Sequence, residues 1–213
     1  MRSTTLALAL PALVALGVGL SACATITRDE CRAEDWASIG QRDGAEGHAP
    51  SRLESHARTC ANFSIVPDPE AYRAGWDTGV LLYCTPQNGF ATARESKPYH
   101  GLCPASVAGR FLEGREVGSR LGAAERRVAA AESTLRNGES ERERLRRRMD
   151  EVREDGGLSA DEKRDRLDEM RDRIADLRWE MDAARFELQQ ARAALPPAEE
   201  AARRFFEAQA ARG

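Results

Sequence analysis

Apolar residues recur every seven positions in the C-terminal half of the sequence, in two successive runs. The first run extends from Leu121 to Val152, with Arg142 as an exception, and the second extends from Leu167 to Leu195. Such a repeat aligns apolar side chains along one seam of a helix and leaves Arg, Glu and Asp on its other faces. The two runs therefore predict two coiled-coil helices.

A turn divides the two runs. It contains two adjacent glycines, and Ser159 with Glu162 then has the S-x-x-E spacing of a capping box, which begins a new helix. A short turn between runs of similar length favours an antiparallel helical hairpin over residues 119–195. A single long solvated helix and a disordered charged tail are the alternatives, and Asn137-Gly138 is the weak point of the first run. Pairing within the chain and pairing with a second copy are both open.

Two consecutive prolines, Pro196 and Pro197, follow the second run. Proline has no backbone N–H to donate, so this pair predicts the end of the hairpin helix. Residues 196–213 are then expected to form a short C-terminal helix that carries Phe205 and Phe206.

Residues 28–118 differ in composition, because they hold four cysteines, all three histidines and all three tyrosines. Glycines recur there about one helical turn apart, at Gly40 and Gly44, Gly75 and Gly79, and Gly114 and Gly118. Glycine costs about 1 kcal/mol relative to alanine inside a helix, so the recurrence predicts close approach of another backbone. Short strands joined by glycine turns are the alternative. We predict an all-α fold with a small helical head at residues 28–118 ahead of the hairpin.

The head contains an even number of cysteines, at Cys31, Cys60, Cys84 and Cys103. Disulfides are the usual state of such cysteines in an exported protein, and four cysteines allow three pairings. We favour Cys31 with Cys60 and Cys84 with Cys103, because neighbouring pairs close short loops without crossing. A zinc site is the rival, but the sequence has no C-x-x-C pair, and only His56 and Cys60 have a ligand-like spacing. We therefore expect no metal and no cofactor.

The N-terminus has the parts of a bacterial lipoprotein signal in the right order. Residues 1–22 combine a basic start, an apolar run broken by Pro11 and a small-residue exit. The sequence Leu-Ser-Ala-Cys that ends at Cys23 resembles the lipobox, in which the cysteine is acylated. An uncleaved transmembrane helix is the alternative, although spanning a bilayer takes about 20 apolar residues. Cys23 is the expected lipidation site, and residues 23–27 would form the tether.

The charge of the chain bears on its partners. The formal net charge is -3, and it becomes -4 when residues 1–22 and their one charge on Arg2 are removed. Such a chain has no basic field for nucleic acid. Charged residues make up 31% and aromatic residues 6% of the sequence, which indicates an elongated rather than a compact protein.

Ordered motifs in the head resemble those of one family of bacterial lipoproteins. They are Trp36-x-x-Ile39-Gly40-x-x-Asp43-Gly44, His56-x-x-x-Cys60, Tyr72-x-x-Gly75-Trp76-x-x-Gly79, Tyr83-Cys84-Thr85-Pro86-x-Asn88-Gly89-Phe90, Tyr99-x-Gly101-x-Cys103-Pro104 and Phe111-x-x-Gly114. This series resembles the domain of unknown function 2799 over about residues 28–122, although residues 91–96 hold less glycine than the family pattern. The resemblance implies an envelope context, and it carries over no activity and no catalytic residue.

The sequence has no motif typical of an active site, since G-x-S-x-G and H-E-x-x-H are both absent. Candidates for an acid, a base or a nucleophile are Asp43, His56, Cys60, Asp77 and His100. We interpret His56 as a packing or hydrogen-bonding residue. The aromatic residues Trp36, Trp76 and Tyr83 could stack on sugars, but a small head needs them first as core.

These observations predict a non-enzymatic envelope lipoprotein that is held to a membrane by lipid and presents a coiled-coil hairpin to the periplasm. Its expected partners are the membrane, through the lipid, and an envelope protein or a second copy, through the coiled coil. Ala24 after the lipobox resembles an outer-membrane address, with the outer leaflet of the inner membrane as the alternative. A peptidoglycan- or glycan-binding head is the leading alternative function, and an envelope hydrolase is a third.

Overall fold

The structure is a computed structural model that describes residues 26–211. Regular structure in this part of the chain is entirely helical, as predicted. The helices are α1 (Arg28–Ala33), α2 (Trp36–Ala45), α3 (Arg52–Cys60), α4 (Pro69–Tyr83), α5 (Pro86–Arg94), α6 (Ala105–Glu154) and α7 (Ala160–Ala210), with a 3-10 turn at Ala61–Phe63. The expected signal at residues 1–22 and the expected lipidation site Cys23 lie outside the described residues. No helix within residues 26–211 is long and apolar enough to cross a membrane.

Side-chain caps determine where several helices begin. Asp35 and Asp68 accept hydrogen bonds from backbone N–H groups in the first turns of α2 and α4. The predicted capping box is confirmed at the start of α7, where the Ser159 side chain accepts from the Glu162 backbone and the Glu162 carboxylate accepts from the Ser159 backbone.

Helices α6 and α7 form the predicted hairpin, with the turn between Glu154 and Ala160. Residues of the predicted seam are buried between the arms, among them Leu121, Ala131, Met149, Leu177, Met181 and Ala191. Ion pairs join Arg127 to Glu187 and Glu141 to Arg173, so the two arms run in opposite directions. Gly138 does not interrupt α6, because its missing side chain leaves the space that Met181 fills; a Cβ there would lie 2.8 Å from Met181 Cγ.

The first arm of the hairpin starts inside the head. Helix α6 begins at Ala105 and continues without interruption to Glu154, so it crosses the expected boundary between residues 118 and 119. Phe111 is fully buried in the core of the head, while Leu121 packs near the base of the hairpin. The change of composition near residue 119 therefore marks a change of packing partner along one helix, with no change of element.

The expected end of the hairpin helix at Pro196-Pro197 is wrong, because both prolines lie inside α7. Each ring fixes φ near the helical value, and the loss of a donor costs about 3 kcal/mol or more. Burial of Phe205 beyond the prolines, against Phe90 and Leu121, offsets that cost and holds the helical end in place. The expected separate helix at residues 196–213 is thus the last part of α7.

The predicted close approach at the glycines is confirmed, since the glycine faces bring helices together in two pairs, α2 with α4 and α5 with α6. A Cβ on Gly40 would lie 2.0 Å from the Tyr72 carbonyl oxygen, and one on Gly114 would lie 2.0 Å from the Pro86 carbonyl oxygen. Real Cβ atoms do not approach backbone so closely, so any larger residue there has to push the helices apart.

The two helix pairs share one pattern of contacts, each residue of the first pair having a counterpart in the second. Each counterpart meets the corresponding backbone group of its own partner helix. The sequence offset between counterparts is constant from α2 to α5, and a second constant offset applies from α4 to α6. The counterparts are Gly40 and Gly89, Tyr72 and Phe111, Gly75 and Gly114, and Gly79 and Gly118. Even the loop contact repeats: Trp76 Nε1 donates to the His48 carbonyl, and Arg115 donates to the Lys97 carbonyl. The head is therefore an internal repeat of one helix-pair unit.

Two disulfides connect the head. They join Cys31 to Cys60 and Cys84 to Cys103, with Cα atoms 5.6 Å apart in each pair. This is the connectivity that the spacing of the cysteines favours. The first bond fixes α1 to the end of α3, and the second bridges the segments on either side of α5.

Candidate functional site

Four polar side chains of the head meet in a cluster that is largely buried. His56 Nε2 lies 2.7 Å from Asp43 Oδ2, and the Tyr72 hydroxyl donates to the same oxygen at 2.8 Å. Arg52 Nε lies 3.4 Å from the other carboxylate oxygen. An ionised carboxylate can only accept, so His56 donates its Nε2 proton to Asp43. We call Asp43, Arg52, His56 and Tyr72 the carboxylate cluster.

The helices bring this cluster together from distant parts of the sequence. Asp43 is on α2, Arg52 and His56 are on α3, and Tyr72 is on α4. The glycine contacts between α2 and α4 place the Tyr72 hydroxyl beside Asp43, and the Cys31–Cys60 disulfide fixes α3 beside them. One carboxylate thus links three helices.

The environment of Asp43 favours its charged form. Burial alone raises the pKa of the carboxyl group, but hydrogen bonds from His56 and Tyr72 and the charges of His56 and Arg52 outweigh burial, so the pKa lies below its ordinary value. Burial first, and then the hydrogen bond and negative charge of Asp43, raise the pKa of Tyr72. Tyr72 therefore stays protonated and acts as a donor.

The carboxylate cluster is closed to solvent on the side where chemistry would take place. His56 is 0% exposed, and Asp43 and Tyr72 are buried as well. Arg52 alone is partly exposed. The imidazole and the carboxylate are thus enclosed between α2, α3 and α4.

The second helix-pair unit shows that the fold does not require these polar groups. By the same offsets that match the glycines, Thr92 stands where Asp43 stands, and Phe111 stands where Tyr72 stands. The Thr92 hydroxyl donates to the carbonyls of its own helix, and Phe111 fills its position with an apolar ring. The carboxylate cluster is thus a feature of the first unit alone.

The other candidates for catalysis lie apart from the cluster. Cys60 is bonded to Cys31 and offers no thiol. Asp77 is on the outer side of α4, where it pairs with Arg73, and His100 is exposed in the loop before α6. Over residues 26–211, no group of three His, Cys, Asp or Glu side chains is arranged to hold a metal ion.

Two large apolar side chains on the outer side of the hairpin are exposed to solvent, and among the described hairpin residues Trp179 is the more exposed. Trp179 is 80% exposed and Phe186 is 61% exposed. They are seven residues apart on α7, so they share the face that points away from the buried Leu177 and Met181. We call this face the outer stripe; it comprises Ala175, Trp179, Ala183, Phe186, Gln190 and Ala193, all exposed.

The outer stripe has the spacing of a second coiled-coil seam, with steps of four and three residues along α7. The seam that the sequence analysis identified uses other positions of the same helix and faces α6. The signal for the outer stripe was present as two aromatic residues seven apart among charged neighbours. It was missed because a charged helix face is ordinarily solvated surface.

Sequence comparison finds a similarity between the head and one family. Residues 35–120 match the family model described as Protein of unknown function (DUF2799). This segment is therefore similar to the DUF2799 family. No curated protein and no solved structure matches the chain.

The DUF2799 segment begins at the cap of α2 and ends inside α6. It therefore covers both helix-pair units and the whole carboxylate cluster. The DUF2799 motifs are accounted for by packing, because their glycines are the contact points between helices and their aromatic residues Trp36, Tyr72 and Phe111 are core. The outer stripe of α7 lies beyond this segment.

Proposed function

We propose that this protein is a lipid-anchored, non-enzymatic lipoprotein of the cell envelope that presents its α6–α7 hairpin to a partner protein in the periplasm. Its address is the outer membrane, with the outer leaflet of the inner membrane as the alternative. The observation that carries the proposal is the outer stripe, where Trp179 and Phe186 are exposed on an otherwise charged helix.

The N-terminal sequence supports the anchor. Residues 1–22 read as a signal peptide, and the lipobox-like sequence ends at Cys23. Two acyl groups on one cysteine give stable anchoring, whereas one is marginal. The two disulfides of the head fit the same compartment, because disulfides persist outside the reducing cytosol.

The state of the polar residues supports a role without catalysis. Asp43 and His56 are enclosed and committed to each other, and Cys60 is committed to a disulfide. Trp36 and Trp76, which could have formed a sugar-stacking platform, are buried in the core of the head. The five candidates Asp43, His56, Cys60, Trp36 and Trp76 therefore each have a structural task.

The outer stripe supports a protein partner. Tryptophan is enriched among the residues that dominate binding energy at protein interfaces, and it is seldom left in water on a charged helix. The steps of four and three residues fit a helix of the partner, packed along α7 as a third strand of the coiled coil. Along α7, Trp179 lies about 39 Å and Phe186 about 28 Å from Phe205, which packs against the head, so this surface is held away from the head.

In-cell photocrosslinking tests this proposal. A photoreactive amino acid in place of Trp179 or Phe186 is expected to capture one defined protein, at least about fivefold more than the same residue at Arg178. Arg178 is the matched control, since it is exposed at the same height on α7 and is rotated by about 100° from Trp179.

A second substitution makes the result specific. Trp179→Glu, in a chain with the photoreactive residue at position 186, is expected to abolish the capture because it puts a charge in the seam. Equal capture from Arg178, or capture that survives Trp179→Glu, would contradict the assignment of the outer stripe. Capture of a second copy of the chain would identify the partner as the protein itself.

A further inference from the structure

If Cys23 carries the lipid, one surface of the head has to lie close to the membrane, so this inference rests on the proposed function. The described chain begins at Ile26, which is 2% exposed and packed into the core of the head. Two residues, Ala24 and Thr25, separate Cys23 from Ile26, and the three steps from one residue to the next span at most about 11 Å. The surface around Ile26 is thus held within about 11 Å of the lipid interface.

A short loop with exposed apolar side chains lies at this surface. It comprises residues 61–66 and follows α3; we call it the 61–66 loop. The guanidinium of Arg28 lies over the Phe63 ring, 5.4 Å from its centroid. The Cys31–Cys60 disulfide fixes the end of α3, directly before the loop, to α1. The 61–66 loop and the start of the described chain therefore occupy the same side of the head.

Two apolar side chains of the loop, Phe63 and Val66, are only partly covered and remain exposed to solvent. Val66 is 85% exposed and Phe63 is exposed too, whereas Ile65 between them packs against the core. Ile65 fixes the loop, and its neighbours are left to the outside. Aromatic and aliphatic side chains gain by moving from water to the boundary of headgroups and acyl chains. Arg28 suits that boundary, because a guanidinium that lies over an aromatic ring can keep its charge among the headgroups.

The charges around the loop indicate an apolar contact rather than an electrostatic one. In the sequence beside the loop and in and directly after α1, the exposed acidic residues Asp29, Glu34 and Asp68 balance the exposed basic residues Arg28, Arg32 and Arg58. An anionic lipid surface would gain little attraction from such a mixture. The occupant that fits is the lipid interface itself, reached through the short tether.

We propose that the 61–66 loop is the membrane-contacting element of the head, with Phe63 and Val66 placed at the boundary between headgroups and acyl chains. The lipid on Cys23 supplies the anchoring, and the loop fixes which side of the head faces the bilayer.

Photocrosslinking to lipid in the full-length, membrane-extracted protein tests this proposal. The protein is reconstituted in vesicles of phosphatidylethanolamine and phosphatidylglycerol at 3:1, with a photoreactive amino acid in place of Val66. The matched control has the same amino acid in place of Leu82, which is also exposed. Helix α4 begins at Pro69, close to the loop, and Leu82 lies about 20 Å further along this helix, away from the loop. Lipid adducts, measured by intact mass, are expected to be at least about fivefold more abundant from position 66.

Adducts from position 66 should also persist at 0.5 M salt, since the contact is apolar. Equal lipid labelling from both positions, or a protein adduct in place of lipid at position 66, would overturn the proposal while leaving the anchor intact. The same mass spectra report acylation of Cys23 separately. An unacylated chain would overturn the proposed function, and the loop's role with it.

Discussion

The buried carboxylate of Asp43 contacts more polar side chains from other helices than any other polar residue described in the head. One of its oxygens accepts from both His56 and Tyr72, and the other faces Arg52, so three helices depend on one carboxylate. Removal of one partner from a buried charged network costs more than the hydrogen bond itself is worth, because the remaining groups stay buried without a partner.

The substitution Asp43→Asn is expected to destabilise the head by about 2–4 kcal/mol, since an amide supplies one accepting oxygen and no charge. Urea unfolding at pH 7, followed by the near-ultraviolet circular dichroism of Trp36 and Trp76, measures this loss. The matched control is Asp77→Asn, whose exposed pair with Arg73 is worth about 0.5 kcal/mol or less. Equal losses from the two variants would show that the carboxylate cluster contributes no more than a surface pair.

The pH dependence follows from the lowered pKa of Asp43 in the folded state. A group of this kind stabilises the fold fully above its unfolded pKa of about 3.9, and the contribution is lost as the pH falls through the lower folded value. As the pH falls below about 4, the wild type should therefore lose more stability than Asp43→Asn does. Parallel losses of stability in the two proteins below that pH would contradict the assignment.

At the scale of elements, the glycines determine how the helices pair. Gly114 and Gly109 are both inside α6, but only Gly114 meets another backbone; a Cβ on Gly109 would have nothing within 4 Å. The same residue type is thus required at one position and unfavourable at the other, within two turns of a single helix.

The substitution Gly114→Ala is expected to destabilise the head by about 1–3 kcal/mol, because the new methyl group forces α5 and α6 apart. Gly109→Ala in the same helix should stabilise it by about 0.5–1 kcal/mol, since alanine loses less conformational entropy in a helix. Thermal unfolding of both variants measures the difference. Two effects of the same sign would contradict the packing described for the helix pairs.

Local patterns predicted the elements better than they predicted their ends. The seven-residue repeat identified both arms, the S-x-x-E spacing identified the start of α7, and glycine spacing identified the close helix pairs. Pro196-Pro197 misled because local propensity was outweighed by the burial of Phe205 further along the helix. That contact depends on Phe90 in α5, which no sequence window around the prolines contains.

The carboxylate cluster was out of reach for a similar reason. Asp43 and His56 were candidates separately, but they are on different helices and no periodicity relates them. In the sequence Tyr72 stands out only as part of a glycine-containing motif, which gives no sign of its hydrogen bond to Asp43. Only the fold brings these three residues together.

At the scale of the whole molecule, α6 makes one continuous body of the head and the hairpin. Its first part packs against α5 in the head, and its remainder is an arm of the hairpin. The end of α7 returns to the head, where Phe205 and Phe206 contact Phe90. The start of α6 and the end of α7 are thus both packed against the head, and this packing supports the part of α7 that carries the outer stripe.

The positions of the head and the hairpin both depend on the proposed anchor. In the proposed arrangement, a tether of a few residues before Ile26 would keep the head at the membrane, and the hairpin would provide the reach toward a partner. Without lipid at Cys23 the outer stripe would have no fixed position in the envelope. The proposed function therefore depends on the acylation of this one residue.

The most direct test is the intact mass of the protein extracted from the membranes of its producing cells, together with the mass of its N-terminal peptide. The expected product is a chain that lacks residues 1–22 and begins at Cys23, with a diacylglyceryl group and an acyl group on that residue. A chain that begins at Met1, or one that begins at Cys23 or later without lipid, would contradict it.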